Sequence, residues 1–330
     1  MGNNMKKILS IDGGGIRGAF PAAFLAEIEE KVGSPLHQYF DLIAGTSTGG
    51  IIALGLGLGF PAKEILGFYE SEGPKIFSQD QTGPVAKTKK WARSIRRAVK
   101  GPKYDASNLE SALAKIFQDK KVGESHTRLF IPSWHRSTAG LYIFKTAHHP
   151  RFKTDYLVSA KDVAMATAAA PTFFKEHVTE AGLGLIDGGI WANNPTGFAV
   201  AEGLANLQWQ PEEVRVLSIG CLDDVLTLKE SYSAAGIAMP LKDIFMAGQS
   251  GSSIALTQTL LGQVGGSGHK ALYRVTQSVP ANYCSLDDTN KIQELKSRAL
   301  TEARTALPDL EPVFFADKAE SFVPCYQIGN

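Results

Sequence analysis

Residues 40–50 read Phe40-Asp41-Leu42-Ile43-Ala44-Gly45-Thr46-Ser47-Thr48-Gly49-Gly50, which predicts a strand, a tight turn and the start of a helix. The apolar residues before Gly45 are typical of a short buried strand. Residues 45–49 fit G-x-S-x-G, the nucleophile elbow, in which a strained bend holds the serine hydroxyl above a sheet. The alternative is an ordinary polar loop between a strand and a helix. We expect Ser47 to be a nucleophile.

The residues before this segment predict a first strand, a glycine-rich turn and a helix. The strand runs from Lys6 to Asp12, and the turn reads Asp12-Gly13-Gly14-Gly15-Ile16-Arg17-Gly18. The helix runs from about Ala19 to Val32 and is ended by Gly33. With the strand before Ser47 this makes a β-α-β unit, which indicates a parallel sheet.

The glycine-rich turn has two interpretations. Gly13, Gly15 and Gly18 match G-x-G-x-x-G, the dinucleotide fingerprint, but that motif needs an acidic residue at the end of the second strand, and Asp41 lies at its start. In the other interpretation, successive glycine amides form an anion-binding nest that faces Ser47 as an oxyanion hole. Arg17 then holds the loop, binds an anionic substrate group, or forms a plain surface salt bridge.

Further elements follow, and one of them carries a second candidate residue. Ser107-x-x-Glu110 predicts a capping box that opens a helix to about Phe117. Residues 129–131 and 141–144 read as two strands, and a hairpin is one way to connect them. Leu183 to Asp187 predicts a short strand, and an acid at its carboxyl end should share a sheet edge with Ser47. Helices are expected near 241–264 and 287–307.

Four motifs together resemble the patatin-like phospholipase family. They are the turn at 12–18, the elbow at 45–49, the segment Ala166-Thr167-Ala168-Ala169-Ala170-Pro171-Thr172-Phe173-Phe174, and Asp187-Gly188-Gly189 followed by Asn193-Asn194-Pro195. The resemblance implies a three-layer α/β/α sandwich with a mostly parallel sheet. It implies hydrolysis of acyl esters of phospholipids, lysophospholipids or neutral lipids, with Ser47 as nucleophile, Asp187 as its partner and no cofactor. It also implies an oxyanion hole at Gly13, Gly14 and Gly15.

The resemblance covers residues 6 to about 220, and one departure is Gly220-Cys221-Leu222, where many members read Gly-Thr-Gly. We expect a single patatin-like domain over residues 1–330, with 221–330 either its C-terminal part or a regulatory extension. Some bacterial members are effectors switched on by cyclic nucleotides, so a small-molecule regulator stays open, as does the oligomeric state.

A serine needs a base to take its proton. Of seven histidines only His269 follows Asp187, so a Ser47-Asp187-His269 triad in the α/β-hydrolase order is one alternative. The surroundings of His269 are glycine-rich and indicate a surface loop. We therefore expect Asp187 to accept the proton directly, with burial raising its pKa. A nucleotide-dependent enzyme and a non-catalytic lipid-binding member are the other hypotheses.

The composition limits the remaining classes. The chain has 330 residues, 44% of them hydrophobic and 20% charged, with a net charge of +1, which gives no reason to expect a nucleic acid polymer as partner. Three widely spaced cysteines indicate neither a disulfide framework nor a zinc site, and no metal motif occurs. We expect a cytoplasmic protein that associates peripherally with membranes.

A basic segment is the candidate for that association. Residues 87–103 carry eight basic side chains and no acidic one. Trp91 lies among Arg93, Arg96 and Arg97, so a helix here would be basic with a narrow apolar stripe. We expect these residues to contact an anionic membrane. The alternatives are a packed or solvated surface helix, or a site for a partner or an anionic regulator.

Overall fold

The computed structural model describes residues 5–78, 101–225, 238–262, 270–281 and 283–329. The strands are β1 (Lys6–Ile11), β2 (Leu42–Gly45), β3 (Arg128–His135), β4 (Gly140–Lys145), β5 (His177–Val178), β6 (Gly184–Asp187), β7 (Val214–Ile219), β8 (Asp223–Val225), β9 (Leu272–Val275) and β10 (Ser278–Pro280). The α-helices are α1 (Ala19–Val32), α2 (Thr48–Gly57), α3 (Ala62–Ile76), α4 (Ala106–Phe117), α5 (Ala160–Ala168), α6 (Gly189–Ala192), α7 (Thr196–Ala205), α8 (Ala238–Leu260) and α9 (Ile292–Leu310).

The central sheet has eight strands in the order β5-β6-β3-β2-β1-β7-β9, with β4 paired to β3 outside this path. The five strands from β3 to β9 are parallel, and β4, β5 and β6 pair antiparallel. The glycine-rich turn after β1 and the bend after β2 therefore leave the sheet at the same edge. This confirms the predicted β-α-β unit and the mostly parallel sheet.

Helices cover both faces of the sheet because its buried strands are apolar on both sides. In β1, Leu9 and Ile11 pack in the larger core with α1, α2 and α3. Ile8 points to the opposite face, where it packs in a second core with Ala199 and Val200 of α7. This alternation follows from the period of two in a strand. It confirms the three-layer sandwich.

Local signals account for the ends of several helices. Gly33 ends α1 in the left-handed conformation, at φ 68°, and its N–H donates to the carbonyl of Glu29. The Ser159 side chain accepts from the N–H of Asp162 at the start of α5. The predicted capping box at Ser107 is wrong, because Asp105 is the N-cap of α4 and its carboxylate accepts from the N–H of Ser107.

Candidate active site

Ser47 occupies the bend between β2 and α2. Its backbone is strained, with φ 56° and ψ −124°, a conformation that costs about 1–3 kcal/mol and persists only where the surroundings hold it. Two glycines make the bend sterically feasible. A Cβ on Gly45 would lie 2.1 Å from the carbonyl oxygen of Gly49, and one on Gly49 would lie 2.3 Å from that of Ile11. Strand and helix therefore approach as the elbow pattern predicts.

The sheet register brings Asp187 to this bend. Ala44 of β2 pairs with Phe130 of β3, and Asp187 of β6 pairs with Ser133 of the same strand. β4 pairs with both Phe130 and Ser133, so it occupies one edge of β3 and leaves β2 and β6 end to end on the other. The carboxyl ends of β2 and β6 therefore point at one another. The sequence predicted that Asp187 and Ser47 would be close because the carboxyl ends of their strands share one edge of the sheet. That reason is wrong, because β6 runs antiparallel to β3.

The two side chains form a direct hydrogen bond. Ser47 Oγ donates to Asp187 Oδ2 at 2.6 Å, and Oδ1 of the same carboxylate accepts from the N–H of Gly189 at 2.7 Å. Burial raises the pKa of Asp187 to about 6, an effect that the hydrogen bonds from Ser47 and Gly189 partly offset. A carboxylate with a pKa near 6 is ionised at neutral pH and is a stronger base than an ordinary aspartate.

Thr167 of α5 holds the backbone of the serine. Its hydroxyl accepts from the N–H of Ser47 at 3.0 Å and donates to the carbonyl of Pro132 at 2.6 Å. This bond ties the strained bend to β3 and to the helix before Pro171. The N–H of Ser47 is thereby occupied and is not free to bind an oxyanion.

The glycine-rich turn faces Ser47, but its amides are not equivalent. A Cβ on Gly13 would lie 3.1 Å from the Cβ of Ser47, so the turn and the nucleophile are in close contact. The N–H of Gly13 donates to the carbonyl of Asn193 at 2.9 Å. Among the described residues, the N–H groups of Gly14 and Gly15 have no acceptor, and both glycines line the same cavity as Ser47. Of the three glycines predicted to form an oxyanion hole, Gly13 therefore has its N–H engaged, and Gly14 and Gly15 remain the candidate donors.

Two partly buried ion pairs hold the glycine-rich turn on the side of a second cavity. Arg274 of β9 binds both carboxylate oxygens of Asp12, at 2.9 and 2.6 Å. Arg17 donates to Asp224 at 2.8 Å and to the carbonyl of Cys284 at 2.7 Å. Arg17 lines a second cavity behind the turn rather than the one that holds Ser47. Its position agrees with a role in holding the loop and not with a substrate contact.

The cavity above Ser47 and Asp187 is apolar. Its volume is about 580 Å³, within the range of about 300–1,000 Å³ typical of small-molecule sites. Asp187 is the only charged residue among the described ones that line it. The large apolar side chains in the lining are Ile16, Ile51, Phe68, Ile76, Phe77, Leu109, Phe173, Phe174, Ile190, Phe245, Met246 and Leu286. Such a lining suits a long acyl chain.

Two comparisons of sequence identify the family. A family profile described as patatin-like phospholipase matches residues 9–200, which include the turn, the elbow and Asp187. The chain belongs to the patatin-like phospholipase family. It is 37% identical over 231 residues to a protein of Pseudomonas aeruginosa named cGAMP-activated phospholipase, covering 68% of this chain and 65% of that protein.

Two further relatives of this family are similar over comparable lengths. A cGAMP-activated phospholipase of Vibrio cholerae is 35% identical over 260 residues, covering 75% of this chain and 69% of that protein. Patatin-like protein 2 of Arabidopsis thaliana is 36% identical over 223 residues, covering 60% of this chain and 53% of that protein. The chain thus spans about two thirds of these bacterial relatives and about half of the plant protein. The resemblance inferred from the four motifs is confirmed.

Several predicted residues of this patatin-like chain lie outside the described ranges. They are His269 in the proposed triad and Trp91, Arg93, Arg96 and Arg97 in the basic segment. None of the described histidines lines the cavity with Ser47. Among the described residues, no group of three or more histidine, cysteine or acidic side chains is placed to hold a metal ion. Within those same ranges, no helix has both the length and the hydropathy needed to cross a bilayer.

Sequence reasoning assigned no role to three residues that support the site, although two of them, Thr167 and Asn193, lie within the quoted motifs. Thr167 is a polar residue in an alanine-rich helix, which is a weak signal for a buried hydrogen bond. Asn193 forms two hydrogen bonds with Gly13. Its carbonyl accepts from the N–H of Gly13, and its side-chain amide donates to the carbonyl of Gly13 at 3.2 Å. Arg274 lies 262 residues after its partner Asp12, and no local pattern in the sequence connects the two.

Proposed function

We propose that this protein is a serine acyl hydrolase that cleaves fatty-acyl esters of membrane phospholipids or lysophospholipids. The observation that carries the proposal is the 2.6 Å hydrogen bond from Ser47 Oγ to Asp187 Oδ2 at the end of an apolar cavity. Membership of the patatin-like phospholipase family supports it independently.

The proposed chemistry proceeds in two half-reactions. Asp187 takes the proton of Ser47 as Oγ attacks the ester carbonyl carbon, and the N–H groups of Gly14 and Gly15 stabilise the oxyanion. The tetrahedral intermediate collapses, the ester C–O bond breaks, and the leaving alcohol takes the proton from Asp187. A water molecule then attacks the acyl-enzyme and gives a proton to Asp187, which returns it to Ser47 as the fatty acid leaves.

The test is hydrolysis of a panel of defined phospholipids, lysophospholipids and triglycerides by the purified protein and by Ser47→Ala. We expect release of fatty acid from at least one class of phospholipid and none from the variant. Equal release by a folded Ser47→Ala protein would contradict the proposal. A nucleotide-dependent enzyme would instead bind a dinucleotide and leave these esters intact.

The role of His269 is tested by comparing His269→Ala with Asp187→Asn. In the dyad that we propose, Asp187→Asn removes the base while His269→Ala matters little. The direct Ser47–Asp187 bond favours the dyad, because in a triad the histidine stands between the serine and the acid. Equal losses in the two variants would establish the triad instead.

We also propose that a cyclic nucleotide regulates phospholipid hydrolysis by this protein. Its support is the similarity to relatives named cGAMP-activated phospholipase in Pseudomonas aeruginosa and Vibrio cholerae. The test measures phospholipid hydrolysis with and without cGAMP and with 3′,5′-cyclic AMP as control. Hydrolysis that is equally fast under all three conditions would remove regulation by cGAMP and leave the hydrolase proposal intact.

A further inference from the structure

Exposed residues surround the opening of the cavity that holds Ser47. Four residues of the cavity lining are also exposed to solvent, and we call them the cavity mouth: Pro171, Thr172, Ile190 and Phe245. Two of them are large apolar side chains, with 60% of Phe245 and 41% of Ile190 exposed. Apolar residues of the cavity lining therefore reach the surface of the protein at this opening.

Helix α8 extends this apolar surface. Leu241, Phe245, Gly248, Ser252 and Leu256 recur at intervals of three and four residues, so they share one side of the helix. All five are exposed. None of the described exposed residues on α8 is charged: Leu241, Phe245, Ala247, Gly248, Gly251, Ser252, Ala255, Leu256, Gln258 and Thr259.

The side of α8 that adjoins this surface is bonded to the loop after Asp187 and to the start of α7. Gln249 accepts from the N–H of Asn193 at 3.1 Å and donates to the carbonyl of Ile190 at 3.1 Å. Ser253 accepts from the N–H of Gly197 at 2.9 Å. These bonds hold α8 against the loop that carries Ile190, and Phe245 and Ile190 both line the cavity at this junction.

We propose that the cavity mouth and the outer side of α8 form the surface on which this protein docks to a lipid bilayer, with Phe245 and Ile190 entering the acyl region. This inference rests on the proposed function, because a diacyl substrate leaves a bilayer through the opening that these side chains surround. A protein seated on the same residues would close that opening. An apolar surface binds through the area it removes from water, so docking of these residues to a zwitterionic bilayer is insensitive to salt and needs no anionic lipid.

The test measures binding of the full chain to phosphatidylcholine vesicles by sedimentation. All proteins carry Ser47→Ala, so that the vesicles stay intact. The double change Phe245→Gln and Ile190→Gln is compared with Leu141→Gln and Val178→Gln, a matched pair of apolar residues, each 56% exposed, outside the cavity lining. We expect the first pair to weaken partitioning by about tenfold or more, because two large apolar groups no longer leave water. The control pair should change it by less than about twofold, as expected for scattered surface residues.

Three results would overturn the inference: equal binding by the two pairs, no binding of the Ser47→Ala protein to phosphatidylcholine, or loss of binding when NaCl is raised to about 0.5 M, where charge interactions are screened. A second variant, Phe245→Trp, tests the inference even if the double variant does not fold. Its fluorescence should be quenched by vesicles with brominated acyl chains beyond the quenching of the parent protein, and equal quenching would also contradict the inference. Ester hydrolysis is measured separately on the protein with Ser47, so a failure of the hydrolase proposal is distinguishable from a failure of docking.

Discussion

Burial of the Asp187 carboxylate raises its pKa, which makes it a stronger base and lowers the free energy of unfolding of the protein at neutral pH. Its side chain is buried, and among the described residues only Ser47 and the N–H of Gly189 donate to its carboxylate. The same burial that raises its pKa to about 6 therefore opposes its ionisation in the folded protein. Two predictions follow at this residue, one for catalysis and one for stability.

For catalysis, Asp187→Asn keeps the size of the side chain and removes the proton acceptor. We expect kcat on a soluble ester to fall by about 10²–10⁴-fold, the usual range for loss of a general base. In the unchanged protein, kcat/KM should fall tenfold per pH unit below about 6, since protonated Asp187 accepts no proton. A profile that stays flat down to pH 5 would show that another group is the base.

For stability, the sign follows from the raised pKa. The folded protein holds the proton of Asp187 up to about pH 6, whereas the unfolded chain releases it near 3.8, so stability is lost as the pH rises between these values. At about 1.4 kcal/mol per pKa unit, the loss amounts to about 3 kcal/mol. The Asn variant has no such loss. Its free energy of unfolding relative to the unchanged protein should rise by about this amount from pH 3.5 to pH 7, as measured by denaturant titration, and a constant difference would contradict it.

Among the elements, the ends of β1 and β9 are joined by the Asp12–Arg274 pair, which lies directly before the glycine-rich turn. Arg274→Gln leaves the Asp12 carboxylate buried without its partner. We expect a loss of about 3–5 kcal/mol in the free energy of unfolding, as in other broken buried pairs. The double change Asp12→Asn and Arg274→Gln removes both charges and should recover most of this loss. A double variant no more stable than the single one would show that the pair is not the cause.

The basic segment is an element whose prediction stays open, because residues 79–100 are outside the described structure. Its last lysine, Lys103, is described and pairs with Asp287, which leaves fewer free charges than the sequence indicates. We expect the triple change of Arg93, Arg96 and Arg97 to Glu to weaken binding to anionic liposomes, since each basic residue near such a surface contributes about 1 kcal/mol. The effect should disappear in high salt. Equal liposome binding by the triple variant at low salt would remove this segment from membrane docking.

In the whole molecule, the sequence predicts the sheet, the elbow, Ser47 and Asp187, because each depends on a local pattern of glycines and apolar residues. The partners of the glycine-rich turn depend on tertiary contacts. Gly13 is bonded by Asn193, Asp12 by Arg274, and Ser47 by Thr167. No spacing in the chain reveals these pairs. The start of α4 differs from the prediction for a local reason, since Asp105 and Ser107 are both good N-caps and only one of them can begin the helix.

The residues after the family match contribute to the same sheet. β7 and β9 extend it beyond β1, and α9 packs on α1. The larger core includes Ile292, Leu295 and Ala299 of α9 together with Phe24 of α1. We therefore propose that the described residues beyond 220 belong to the same domain and do not form a separate regulatory extension.

The central claim is that Ser47 is the nucleophile, and covalent labelling tests it most directly. The purified protein is treated with a fluorophosphonate probe, digested and analysed by mass spectrometry, with Ser47→Ala as control. The strained bend, the bond to Asp187 and the N–H groups of Gly14 and Gly15, which have no acceptor among the described residues, predict a single modified peptide that contains Ser47, and no labelling of the variant. Labelling at another residue, or equal labelling of a folded Ser47→Ala protein, would contradict the account.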